Sequence, residues 1–212
     1  NHFSLITEIK RASPSAGITH NDIDPVQIAQ SYWNAGASAI SVLTESAHFN
    51  GSEADLQAVG NQIHLPLLRK DFIIHPFQIY ESYNLGADMI LLIAACLSGS
   101  QLECLYQTIR RLGMQAIIEV HTREELESVL ALDPDLIGIN NRDLKSFRTD
   151  LSVSKELIRD IPKRIYAISE SGIRSAKQVT MLKDLGFAGA LVGESLMRSR
   201  NRAQAVREMI DA

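Results

Sequence analysis

Eight apolar, β-rich runs recur along this chain at a nearly constant interval, each separated from the next by a helix-like stretch. They lie at residues 4–10, 39–44, 66–70, 88–93, 115–120, 136–140, 165–169 and 189–192. From Lys10 to Val192 seven intervals average 26 residues. This repeat points to βα units, because a strand parallel to its neighbour needs a long crossover to return to the same end of the sheet. Most of the runs are continuously apolar, as expected of strands covered on both faces. The 212 residues fit an eight-unit barrel at the short end of its range of ~200–250 residues.

Helix punctuation agrees. Asp24-Pro25 offers an N-cap and a proline at the first helical position, and Gly36 follows the last turn. Ser52 precedes Glu53 and Asp55, acids that the helix dipole favours in a first turn. Pro76 opens a segment that Gly86 stops, Ser98 or Ser100 starts the one that Gly113 ends, and Ser175 starts the one that Gly186 closes. Thr122 with Glu125 is a capping-box pattern. No Gly/Ser linker or charge block interrupts the series, so residues 1–212 are expected to form a single domain. A doubly wound sheet would favour GxGxxG after its first strand. The turn here reads Arg11-Ala12-Ser13-Pro14-Ser15-Ala16-Gly17, and no Walker GxxxxGK[ST] is present. The fold class expected is therefore α/β, an eight-stranded parallel (β/α)8 barrel.

Composition narrows the partners. With 21 basic and 25 acidic residues the net charge is −4, so no basic excess exists to neutralise a nucleic-acid backbone. The longest apolar run, 89–97, is nine residues, about half of what spans a bilayer. The first residues carry neither a basic nor a long apolar region, so no secretory leader is read there. Cys96 and Cys104 lack CxxC spacing and suit a reducing, cytoplasmic location. No nucleic-acid or membrane partner is expected.

Polar residues gather at the C-terminal ends of the strands, where a barrel builds its active site. Glu8 and Lys10 are on the first strand, two apart and thus on one side of it. Lys70 ends the third, Glu119 the fifth and Asn140 the sixth, and Glu170 just follows the seventh. Charge inside a strand is costly unless paired or functional. Late in the chain, Glu170-Ser171-Gly172 and Gly193-Glu194-Ser195 follow the seventh and eighth strands, where barrels commonly hold phosphate on backbone N–H groups.

Other polar residues read more blandly. The six histidines, His2, His20, His48, His64, His75 and His121, lack metal-ligand spacing, and His121 beside Glu119 reads as a rim hydrogen bond. Trp33 reads as packing, and Cys96, with no adjacent base, as a buried thiol.

These residues resemble the indole-3-glycerol phosphate synthase family. Glu8-Ile9-Lys10-Arg11-Ala12-Ser13-Pro14-Ser15 with Gly17 is similar to its first-strand signature. Ser41-Val42-Leu43-Thr44-Glu45 with Phe49 and Gly51-Ser52 fits the second strand and loop, and Leu68-Arg69-Lys70-Asp71-Phe72-Ile73-Ile74 the third. Gly138-Ile139-Asn140-Asn141-Arg142-Asp143-Leu144 fits the sixth, Ser169-Glu170-Ser171-Gly172-Ile173 the seventh, and Leu191-Val192-Gly193-Glu194-Ser195-Leu196-Met197 the eighth.

The resemblance implies a lyase of tryptophan biosynthesis, with a small phosphorylated substrate and no cofactor. It would convert 1-(2-carboxyphenylamino)-1-deoxyribulose 5-phosphate to indole-3-glycerol phosphate, carbon dioxide and water. It makes Lys70 the general acid for ring closure, Glu119 the acid/base partner of the dehydration, and Lys10 a substrate-contacting cation. Glu8, Asn140 and Glu170 would hold the lysines and substrate hydroxyls. Ser13, Ser171, Gly172, Gly193 and Glu194 fall at phosphate positions, the last through its backbone N–H. Pro14, Phe49, Phe72, Leu91, Leu144 and Leu191 would line the aromatic pocket, and Arg142 would reach the anthranilate carboxylate. Lys70 would act as an acid with its pKa lowered by burial and a neighbouring cation.

The chain departs from the family at Ala16, where lysine is usual, and at His75, where aspartate is common. The family also carries an extension with a site-covering helix ahead of the first strand, so the chain is expected to be truncated there. The resemblance leaves open fusion to, or association with, neighbouring pathway enzymes. Two alternatives remain: another phosphate-binding barrel such as phosphoribosylanthranilate isomerase, and a non-catalytic barrel. The isomerase needs a thiol at the end of the first strand, where Lys10 stands. A non-catalytic barrel would tolerate loss of Lys10, Lys70 or Glu119, and all three are present.

Overall fold

The computed structural model describes residues 3–13, 17–18 and 23–212. All eight expected runs form strands: β1 Ser4–Ile9, β2 Ala39–Leu43, β3 Leu67–Lys70, β4 Met89–Ile93, β5 Gln115–Val120, β6 Leu136–Asn140, β7 Tyr166–Glu170 and β8 Gly189–Val192. They close into one parallel barrel in sequence order, and β8 pairs with β1 through Ser4↔Gly189 to Thr7↔Val192. The two-residue strands Ala12–Ser13 and Gly17–Ile18 form a small hairpin above β1.

Two apolar layers follow from the two-residue period of the strands. Ile6, Leu68, Leu91, Ile117, Ile168 and Leu191 pack together inside the barrel. Their chain neighbours, such as Leu5, Leu67, Ile90, Ile118 and Ala190, pack outward against the helices. The charged strand residues share the inward parity of the first set: Glu8 lies two after Ile6, Lys70 two after Leu68, Glu119 two after Ile117 and Glu170 two after Ile168. An apolar plug thus fills the barrel, and its upper end carries the polar groups.

The intervening helices are α1 Pro25–Asn34, α2 Ser46–Phe49, α3 Glu53–Gly60, α4 Pro76–Asn84, α5 Gly99–Arg111, α6 Arg123–Leu130, α7 Ser152–Leu157, α8 Ala176–Asp184, α9 Glu194–Arg198 and α10 Arg202–Ile210. Asp24 accepts from the N–H groups of Val26 and Gln27, and Ser98, not Ser100, caps α5 in a full capping box with Gln101. At α4 the imidazole of His75 accepts the Phe77 N–H at 3.1 Å, so it fills the N-cap place where the family has aspartate. Two caps differ from expectation. Ser175 makes no side-chain cap, because Gln178 instead accepts the Arg174 N–H at 2.7 Å. Thr122 caps α6, but Glu125 reaches back one residue further, to the N–H of His121 at 2.7 Å.

Candidate active site

The inward row makes the floor of a cleft of about 400 Å³ at the C-terminal end of the barrel. Glu8, Lys10, Lys70, Glu119 and Asn140 line it, and the buried Glu170 reaches the same floor beside Lys70. Its walls include Phe49, Phe72, Leu91, Leu144 and Leu191, with Arg142, Ser171, Gly172, Gly193 and Glu194 at one side. Leu91 and Leu191 are buried at the base, whereas Phe72 and Leu144 are 42% and 46% exposed and form the mouth. A deep apolar slot with a polar floor suits a flat ring that carries reactive polar groups.

Lys70 sits between two carboxylates. Its Nζ lies 3.3 Å from Glu119 Oε2 and 3.4 Å from Glu170 Oε2. Lys10 Nζ pairs with Glu8 Oε1 at 2.6 Å, which the shared side of β1 anticipates. Two glycines make room for these carboxylates. A Cβ on Gly138 would collide with Glu170 Oε1, and one on Gly193 with Glu8 Oε1. Gly138→Ala is therefore expected to displace Glu170 and cost about 1–3 kcal/mol of stability as an overpacked site. Urea unfolding would measure it, and an unchanged midpoint would contradict the fit.

The charges decide each protonation state. Burial works against the Lys70 ammonium, but Glu119, Glu170 and Glu8 outweigh it and hold its pKa well above the ordinary lysine value. This reverses the expectation of a lowered pKa, because the close neighbours of Lys70 are carboxylates. Burial likewise opposes ionisation of Glu119, but Lys70 and His121 win and hold it far below the usual carboxylate range. Glu170 is pushed up to about 8, by burial first and then by Glu119 and Glu8, against the pull of Lys70. At neutral pH the cluster around Lys70 is thus its ammonium, the Glu119 carboxylate and a neutral carboxyl at Glu170.

His121 is also raised, to about 9, because Glu119 and Glu125 outweigh its desolvation. Both raised groups bind protons more tightly in the folded chain, so each stabilises it at low pH and loses that contribution as pH rises through the folded value. The windows run from about 4.5 to 8 for Glu170 and from about 6.5 to 9 for His121. Stability should fall between pH 6.5 and 8, and Glu170→Gln should flatten that fall. Urea midpoints at three pH values would test this, and identical slopes in both proteins would refute it.

The loops after β7 and β8 each carry a glycine at their start. Ser171 and Gly172 follow β7 with φ of 65° and 77°. Gly193 precedes α9, whose first turn has no side-chain cap. The Glu194 carboxylate is drawn to Arg142 and Arg198, at 3.4 Å each.

The family model for indole-3-glycerol phosphate synthase matches residues 1–209. The chain belongs to that family. An indole-3-glycerol phosphate synthase of Dehalococcoides mccartyi (strain CBDB1) is 49% identical over 209 residues, 97% of this chain and 81% of that protein. The one of Geobacillus thermodenitrificans (strain NG80-2) is 49% identical over 203 residues, covering 95% of this chain and 79% of that protein. A solved 3-hexulose-6-phosphate synthase from Salmonella typhimurium superposes with a TM-score of 0.80 at 12% identity, covering 99% of this chain and 97% of that one, a likeness of fold alone.

Against the indole-3-glycerol phosphate synthase expectations, the structure gathers sixteen of the eighteen named site residues around one cleft. Of the other two, Ser13 ends a two-residue strand, and Pro14, with Ala16, lies outside the described residues. Glu170 is the last residue of β7, not the first of its loop, because it pairs in register with Asn140. Cys96 is exposed in a short 3-10 turn after β4, not buried. Partial desolvation, with the nearby Glu119 and Glu125, still raises its pKa, so it stays a thiol.

Sequence reasoning passed over two residues, Phe147 and Arg69, and read a third, His121, as a rim group. Phe147, with a left-handed φ of 57°, lines the mouth beside Leu144. Arg69, next to Lys70, is buried among acids outside the barrel. His121 lies between Glu119 and Glu125, 3.3 Å from each. A charged residue amid the apolar run of β3 and a histidine flanked by glutamates were the available signals.

Proposed function

We propose that this chain carries out the family's reaction, closing the indole ring of 1-(2-carboxyphenylamino)-1-deoxyribulose 5-phosphate with loss of carbon dioxide and water. The carrying observation is the Lys70 ammonium held between Glu119 and Glu170 on the floor of an apolar slot. The slot walls Phe49, Phe72, Leu91, Leu144 and Leu191 take the aromatic ring, and Arg142 stands where its carboxylate would lie. The backbone at Ser171, Gly172, Gly193 and Glu194 takes the phosphate, and the family resemblance assigns Ser13 to the phosphate and Pro14 to the ring pocket. Anchoring both ends presses the ring carbon against the ketone carbon, and this positioning supplies much of the rate.

As the new bond forms, charge develops on the ketone oxygen and Lys70 gives it a proton. A firmly held ammonium still suits this step, because the developing alkoxide is a stronger base than the amine. Loss of carbon dioxide then restores aromaticity. In the dehydration, Lys10 protonates the departing hydroxyl, and Glu119, already a carboxylate, takes the proton of the ring nitrogen. Glu8 pairs with Lys10 at 2.6 Å and places it, and Asn140 and Glu170 orient Glu119, Lys70 and the substrate hydroxyls. The reaction suits a cytoplasmic enzyme with a diffusible substrate.

Adding the carboxyphenylamino-deoxyribulose phosphate to the full chain should give indole fluorescence that rises with enzyme concentration. A folded protein that consumes no substrate would remove the proposal.

A further inference from the structure

The Glu119 carboxylate uses its two oxygens differently. Oε2 faces Lys70 and the cleft at 3.3 Å, while Oε1 faces away, 3.3 Å from His121 Nε2. On its far side the ring presents Nδ1 to Glu125 Oε2, again at 3.3 Å. That same Glu125 oxygen accepts the His121 backbone N–H at 2.7 Å. Glu125 therefore grips residue 121 by both main chain and ring, which fixes the ring plane and aims Nε2 at Glu119. The ring is largely buried, and Glu125, on the first turn of α6, is the link from this chain to solvent.

We propose that His121 is a positioning residue for the dehydration step: clamped by Glu125, it holds Glu119 as an oriented carboxylate with one oxygen free for the substrate. The inference rests on the reading of Glu119 as the base of that step. The chemistry is electrostatic and geometric. An imidazolium with a carboxylate near each nitrogen is the stable charge state of such a triad: Nδ1 hydrogen-bonds to Glu125, and Nε2 forms an ion pair with Glu119 at 3.3 Å. Its positive charge favours ionised Glu119, and a base must be ionised before the ring-nitrogen proton arrives. A carboxylate tied at Oε1 also cannot rotate away from the cleft when Lys70 gives up its proton to the substrate.

Among the described residues, groups from the neighbouring strands bear on this triad as well. Lys70 of β3 and Asn140 of β6 also favour the Glu119 anion. Glu170 of β7 is pushed towards its neutral form, partly by Glu119 and by Glu8 of β1. Cys96, after β4, feels Glu119 and Glu125 and remains a neutral thiol. His121 and Lys70 are thus the two cations against Glu119, one on each oxygen, and Lys70 is the one consumed in the chemistry.

The test compares His121→Gln, which keeps a donor but no charge, with Glu125→Gln and Glu119→Gln, using turnover against pH and the carboxyphenylamino-deoxyribulose phosphate as substrate. His121→Gln should lose about tenfold in kcat at pH 7 with KM within about twofold, the pattern of a lost transition-state interaction. Its acidic limb should move up by about one pH unit, because Glu119 loses a neighbouring cation. Glu125→Gln should shift the limb the same way by less. A purely structural role would lower the melting temperature and active fraction but leave the limb in place, and that result overturns the inference. If Glu119→Gln turns over like the wild type, the reading of Glu119 itself falls. If Glu119→Gln is inactive while His121→Gln matches the wild type in rate and profile, only the role of His121 falls.

Discussion

Lys70→Ala should lose about 10²-fold or more in kcat, the usual worth of a positioned general acid. The loss comes from chemistry more than from folding. Lys70 is the cation at the centre of the floor, between Glu119 and Glu170, whereas Lys10 sits to one side against Glu8 at 2.6 Å. Removing the ammonium also releases Glu119 and Glu170 from their shared partner. With the ammonium gone, the pair can share the proton that Glu170 already carries at neutral pH, so the folding cost is limited. Glu119 would then compete with Glu170 for that proton and lose part of its strength as a base. Lys70→Arg discriminates between acid and simple counter-ion. A guanidinium restores the charge but gives up a proton far less readily. Rates near wild type in the arginine protein would mean that charge alone suffices. Steady-state kcat and KM from indole fluorescence measure all three proteins, and wild-type turnover in Lys70→Ala would overturn the acid assignment.

How much of this was legible in the sequence depends on what each feature needs. Strand positions were legible to within a residue, because continuous runs such as Met89–Ile93 and Gln115–Val120 have one reading in a βα repeat. The floor of the site was legible for the same reason. Glu8, Lys70 and Glu119 each break an apolar run at the same end of a strand, and parity sends them inward with Ile6, Leu68 and Ile117. Protonation was not legible. The direction of the Lys70 shift depends on whether carboxylates or cations stand across the barrel, and Glu119 and Glu170 are 49 and 100 residues away in sequence. The outer shell was hidden too. Arg69 follows Leu68 in an apolar run, and only the strand parity and the helices behind it reveal where its charge goes. His121 looked like a rim group because its second partner, Glu125, belongs to the capping pattern of α6, which the sequence assigned to Thr122.

Arg69→Leu should destabilise the fold by about 3–5 kcal/mol, the cost of breaking a buried ion pair by removing one partner. Alternation turns this side chain away from Lys70 and into the layer between β3 and the helices, where it is 2% exposed. There its Nη2 donates to Glu53 at 2.7 Å and Asp71 at 3.2 Å, and its Nη1 to Glu81 at 2.8 Å and Ser82 at 3.1 Å. Its Nε reaches Thr44 at 3.2 Å. One guanidinium thereby joins α3, α4, the end of β2 and the turn that leads to Phe72. Leucine fills part of the volume but strands three acids around an apolar centre. Burial already raises the Glu53 pKa against the pull of Arg69, and Glu81 adds to the rise. Because Glu53 and Glu81 keep some access to water, the lower end of the range is the better expectation. Arg69→Lys should fall between, since an ammonium cannot fork towards acids on two helices at once. Because the Glu53 pKa is already raised, its protonation as pH falls should narrow the gap to wild type. Urea unfolding across pH measures both effects. A midpoint within the roughly 0.5 kcal/mol typical of surface changes would show that Arg69 is solvated rather than buried. The same loss should reach the chemistry: Asp71 accepts the Phe72 N–H at 2.8 Å and the Thr44 hydroxyl at 2.5 Å, so freeing it from Arg69 loosens the turn directly after Lys70.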